Sequence, residues 1–248
     1  MALKTVIDLP APTRAAGGLL SAARPLPGGW ERGVLFNGST CLGPLTWPFC
    51  PPEASPPPDP KTYDMLGDVA EFEPFGIYQG IECTNFSANN AARAATEALD
   101  VTAEFQLGHE LATGEATSNP SLADATSTTA ADPIEGLALA EAAAAADIYG
   151  RLAFIHVSPQ MLTRLVGAQV VYREGRSWRS PNGHLVVASP GYGVLADEIH
   201  VTSEVFASLG VPETMVDINR ANNQNFAQAE QIGLAAFDPC FNVSVEVQ

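Results

Sequence analysis

The chain has 248 residues, 46% apolar and 16% charged, a balance that excludes both a disordered segment and a coiled coil. Its formal charge of -16, from 12 basic and 28 acidic residues, argues against a protein that tracks nucleic-acid phosphates or an anionic membrane surface. No apolar run approaches the ~20 residues of a membrane-spanning helix.

The N-terminal MALKTVIDLPAP lacks the basic region and long apolar stretch of a signal peptide, so synthesis in the cytoplasm is expected. Residues 1–28, small and punctuated by Gly and Pro, read as an extended arm with at most a short helix near Arg14–Ala23. A strand and an Asn37-Gly38 turn are expected within 30–43. Between Pro44 and Pro60, 8 of the 17 residues are proline, which excludes a helix or central strand. That stretch predicts a stiff, extended loop that acts on something outside its own domain.

Strand character returns at 69–84. Ser87 or Asn89 then caps a helix running to about Ala112, stopped by Thr113-Gly114. Ala94, Ala98, Val101 and Phe105 form one apolar stripe on it, and Leu99, Ala103, Leu107 and Leu111 a second. Arg93, Glu97, Asp100, Glu104 and Glu110 are the expected solvated positions. A loop follows at 114–128. Asp132 and Pro133 open a second helix as N-cap and first-turn proline, ending near Ile148-Tyr149-Gly150. RLAFIHVS (151–158) predicts a buried strand and Pro159 the start of a third helix. Strands VVYREG and GHLVVAS are joined by the turn SPNG, and 196–210 reads as strand followed by turn. Residues ~131–214 thus form a compact α/β unit between two pieces of another β-containing unit, giving an α+β fold class. At the end, Val243, Val245 and Val247 alternate with Ser244, Glu246 and Gln248, a strand that persists only by pairing with a sheet formed earlier.

Catalytic signals are sparse. Gly191-x-Gly193-x-x-Ala196 follows a strand like a dinucleotide fingerprint, but the residues after it read as strand, so a glycine-rich turn is expected. His109, His156, His184 and His200 are scattered without ligand spacing, and His156 in FIHVS reads as a satisfied core histidine. Ser158 follows without the G-x-S-x-G elbow. Cys41, Cys50, Cys83 and Cys240 form no C-x-x-C pair and are expected as buried free thiols. Trp30, Trp47 and Trp178 are either locally packed or anchors at subunit interfaces. No catalytic, cofactor-binding or metal-ligating residues are assigned, and the absence of such motifs favours a structural protein over an enzyme.

The element order resembles the major capsid proteins of tailed bacteriophages, of the Hong Kong 97 type, whose fold is shared with encapsulins. DPIEGLALAEAAAAADIYGRLAFIHVSPQMLTRLV is similar to the family's helix–strand–helix run, with a strand ending at an SP step into the next helix. RSPNGHLVVASPGYG resembles the segment where a glycine precedes a short apolar strand and a turn. AEQIGLAAFDPCFNVSVEVQ resembles the closing strands of actinobacterial phage capsids.

The resemblance implies an N-terminal arm at 1–28, an extended loop at 29–68 and a peripheral domain at 69–130 with spine helix 88–112. An inserted axial domain at 131–214 and a returning peripheral segment at 215–248 complete it. It further implies a subunit that self-assembles through hexamers and pentamers into an icosahedral head around double-stranded DNA. No membrane partner and no tight DNA binding are implied; scaffolding, portal or decoration proteins would be further partners. The location implied is the virion, after assembly in the host bacterial cytoplasm. Some family members crosslink a loop lysine to an asparagine, which would here draw on Lys61 and Asn222, Asn223 or Asn225. The other readings are a minor virion or decoration protein, an encapsulin-like shell, and an α/β enzyme gathering His156, Ser158 and an acid.

Overall fold

The computed structural model describes residues 16–36, 69–83, 88–149, 151–219 and 224–248. The chain opens with a helical turn, α1 (Leu19–Ala22), and β1 (Val34–Phe36). β1 pairs antiparallel with β2 (Ala70–Phe72), so the two chain ends that flank residues 37–68 lie side by side. The Pro-rich stretch 44–60, Trp47 and Lys61 lie outside the described residues. β3 (Phe75–Cys83) leads to the long helix α2 (Ala88–Thr113). Asn89 lies inside this helix rather than capping it, and Gly114, at φ 66, follows its last residue.

The stretch expected as a loop contains β4 (Thr126–Ala130). α3 (Pro133–Asp147) follows, its N-cap Asp132 accepting from the backbone N–H of Ile134 and Glu135. Next come β5 (Phe154–Val157), α4 (Pro159–Gly167), β6 (Tyr172–Glu174), β7 (Ser177–Arg179) and β8 (Leu185–Val187). The residues expected as strand then turn are two strands, β9 (Glu198–Thr202) and β10 (Val205–Leu209), which enter different sheets. β11 (Glu213–Asn219), β12 (Gln224–Phe237) and β13 (Asn242–Val247) complete the chain.

β12 carries the smaller sheet. β3 pairs along one edge, and β11 and then β10 along the other. Ala91, Ala95, Leu99 and Ala103 of α2 pack on Ala227 and Ala229 of β12 and on Ile77 of β3. Small side chains on both surfaces let helix and sheet approach closely. The stripe of Ala94, Ala98, Val101 and Phe105 is shallower: Val101 is 62% exposed and Phe105 43%. Glu110, expected in solvent, is buried and accepts from the N–H of Ala116 and Thr117 and from the Thr117 hydroxyl. It ties down the loop after the helix.

The larger sheet has the order β4-β13-β9-β5-β8-β7-β6, with β4/β13 and β5/β8 parallel. One face buries Ile155, Val157, Val186, Ile199, Val201 and Val245 under α3 and α4. The other buries Phe154 and Val187 with Leu107 and Leu111 of α2, Tyr192 and Phe237. α2 therefore serves both sheets, its first half on the small one and its second half on the large one.

Residues 215–248 do not all return to one sheet. β11 and β12 belong to the small sheet, but β13 pairs with β9 and β4, alongside the strands of the inserted unit. Cys240, in the turn between them, also differs from expectation: it is disulfide-bonded, not a free thiol. Cys240→Ser is expected to lower stability by about 2–4 kcal/mol. Denaturant melts with and without reductant check this, with peptide mapping under non-reducing conditions to identify the partner.

Candidate assembly surfaces

His156 is fully buried, and both ring nitrogens are engaged. Nδ1 lies 2.9 Å from the Tyr192 hydroxyl and Nε2 3.0 Å from Thr202 Oγ1. Burial, reinforced by the neighbouring His200, lowers its pKa to about 3, so it is neutral at ordinary pH. Ser158 caps α4, accepting from Met161 N–H at 3.1 Å and donating to the Ala196 carbonyl at 2.7 Å. Its hydroxyl serves the helix end and makes no bond to His156. A serine activated by this histidine is therefore not what the geometry presents.

The other histidines are also structural. His200 faces His156 across β9 and β5, and its Nε2 lies 2.7 Å from Glu198. Burial lowers the His200 pKa, and Glu198 partly opposes this. His184 Nδ1 accepts from Ala153 N–H, and His109 stacks on Phe105 and meets Glu115 at 3.2 Å. Among the described residues no group of three or more His, Cys, Asp or Glu could hold a metal ion.

The glycine-rich turn has a packing role that its spacing does not reveal. Residues Pro190–Leu195 form a 3-10 turn leading into β9, without the helix a dinucleotide site requires. Gly191 lies against α2, where a Cβ would enter the Phe105 carbonyl and the His109 backbone nitrogen. Gly108 of α2 receives Ser189 in the same crossing. These glycines let the turn and the helix touch backbone to backbone.

No protein-family model matches the sequence, and no curated protein matches it. Solved structures do. A chain from the capsid of a native GTA particle aligns with 100% of this chain and 95% of its own, at a TM-score of 0.64 and 9% identity. A chain of Gordonia phage Cozz aligns over 99% and 91%, at 0.59 and 11% identity. The SrpI encapsulin complex of Synechococcus elongatus PCC 7942 supplies a third, over 99% and 96%, at 0.56 and 10% identity. The chain has the Hong Kong 97-type capsid fold.

With that fold in place, the surfaces matter more than the interior. Trp30 is buried in the core, and Trp178 is half-buried between Gly17 and the guanidinium of Arg173. Of the residues a crosslink would use, Lys61, Asn222 and Asn223 lie outside the described residues, and Asn225 sits in β12 opposite Cys83. Two exposed regions stand out. On the small sheet, Tyr78, Met215 and Phe226 are exposed on the face away from α2, among Glu82, Glu213, Asp217 and Glu230. On α3, Ile134, Ala138, Leu139, Ala142, Ala145 and Ala146 face solvent. A helix apolar on every side is normally buried. Composition alone signalled this one, in the run LALAEAAAAAD; its exposure required the fold.

Proposed function

We propose that this chain is the major capsid subunit of a tailed phage, a structural protein and not an enzyme. It self-assembles through hexamers and pentamers into an icosahedral shell around double-stranded DNA. The observation that carries this reading is the two-way coverage: 100% of this chain aligns with 95% of the GTA capsid chain at a TM-score of 0.64. The exposed apolar faces support it, since a shell subunit keeps surfaces that only its neighbours cover.

The parts follow from the same reading. Residues 1–28 are the arm and 29–68 the extended loop. β3, α2, β10, β11 and β12 form the peripheral domain, with α2 as its spine. The axial domain is 131–203 joined by β4 and β13, the rest of the expected 131–214 span going with β10 and β11 to the peripheral domain. The net charge of -16 suits a wall that must enclose DNA without holding its phosphates. The virion is the proposed location, with assembly in the host cytoplasm and scaffolding, portal or decoration proteins as accessory partners.

Negative-stain microscopy of the chain expressed alone, after size-exclusion chromatography, tests this. Closed shells or hexameric rings are expected. A clean monomer under every assembly condition tried overturns the reading. Shells formed in the native host around an enzyme rather than DNA would make this an encapsulin-like compartment.

A further inference from the structure

The large sheet exposes apolar surface on both of its covering layers. On the first, α3 presents Ile134, Ala138, Leu139, Ala142 and Ala145, continued by Tyr149 and Leu152 beyond the helix. The N-terminal carboxylate on this side, Glu135, folds back onto the backbone N–H of Ala131. Glu141, at the edge of the stripe, is taken up by Ser180 and Asn182. Neither therefore interrupts the apolar face. On the opposite layer, α2 presents Val101 and Phe105 and the 190–195 turn presents Val194, all at least 43% exposed.

Two different patches on opposite layers of one subunit are what a head-to-tail contact needs, because each copy then offers one patch to each neighbour. We propose that the α3 face of one copy packs against the Val101–Phe105–Val194 face of the next. This deepens the shell reading and rests on it. Charge supports the pairing at the rim: Arg151 is exposed next to Leu152, Asp100 is exposed next to Val101, and the two are opposite in sign. Area supports a repeated copy rather than a lone dimer. The α3 face is about 22 Å long and roughly 200–250 Å² in extent, well below the ~800 Å² per partner of a stable pairwise interface. Such a contact holds only when repeated around a ring with others acting in parallel.

The test uses Ala142→Glu on α3 and Phe105→Glu on α2, each expressed as the full chain beside wild type. Assembly is read by negative-stain microscopy and sedimentation, and folding by thermal melting. Both variants are expected to melt with the wild type and to lose rings or shells by about tenfold or more, because each buries an unpaired carboxylate in the contact. Assembly at the wild-type level by either variant overturns the proposal, as does loss confined to the α3 variant. Should a glutamate variant fail to fold, R151E, D100R and their double supply a milder arm. Each single reversal lowers assembly and the double recovers it; a double no better than the singles overturns the pairing. A wild-type chain that stays monomeric refutes the shell reading and this contact with it. Wild-type shells beside variants that assemble equally well refute the contact alone.

Discussion

Gly191→Ala is expected to cost about 3 kcal/mol or more, enough to leave little folded subunit. The added methyl meets the carbonyl oxygen of Phe105 and the backbone nitrogen of His109, not the yielding end of a side chain. Relief requires the 190–195 turn to lift off α2. That would open the core around Tyr192, Leu195, Leu107 and Leu111 and unseat the Tyr192 hydroxyl from His156. Gly193→Ala is the control within the same turn. Nothing lies within 4 Å of a Cβ at Gly193, so its effect should stay within about 0.5 kcal/mol. Urea unfolding of the two variants separates them; equal stabilities would mean that the turn is not seated on the helix as described.

Acidification supplies the second large effect. His156 has its pKa lowered from 6.5 to about 3 by burial and by His200. Below pH 6.5 the unfolded chain takes up a proton that the folded chain refuses, so stability falls as pH falls. The slope is about 1.4 kcal/mol per pH unit for this one group, and the loss reaches on the order of 4–5 kcal/mol by pH 3. His200, lowered in the same direction, adds to it, with Glu198 acting against that shift. The groups facing His156 are the Tyr192 hydroxyl from the 3-10 turn and Thr202 and His200 from β9, none of them anionic at neutral pH. Among the described residues no carboxylate hydrogen-bonds to His156 itself.

His156→Gln isolates this contribution. It should be less stable at pH 7.5 by about 1–3 kcal/mol, through poorer bonds to Tyr192 and Thr202. Between pH 6.5 and 4 its decline should be shallower than the wild type's by close to one proton. Denaturant melts of the unassembled chain across that range supply the comparison. Parallel curves would place the acid sensitivity elsewhere.

Local signals in the sequence were reliable, and long-range ones were not. Asp132 before Pro133 and Ser158 before Pro159 mark helix starts because a cap works within three residues, and both caps are present. The α2 pattern predicted its buried leucine stripe for the same reason. β4 escaped notice because Thr126–Thr129 are exposed and carry no apolar alternation; it is a strand only because β13 lies beside it. The period of β9 showed strand, β10 read as a turn, and nothing in either showed that they join different sheets. That switch falls at Ser203, whose hydroxyl accepts from Asp238 N–H. Gly191 read correctly as a turn residue, but its reason for being glycine lies on a helix more than 80 residues earlier. Glu110 looked like a solvent position until the loop it binds was in place.

The insertion of β13 between β4 and β9 sets an order of events for folding. β4 is made early and, among the described strands, has no sheet neighbour until β13 arrives, almost half of the chain later. During synthesis the large sheet can assemble only from β5 to β9, with the flank of β9 open and competent to pair with the same strand of another nascent copy. Closure by β13 removes that edge and docks β4 in one step. The chain therefore has its greatest aggregation hazard in the interval before its last described strand is placed, and the proposed role, which calls for many copies at once, would sharpen it. Slowing or displacing that strand should reduce the yield of folded subunit before it touches any contact between subunits.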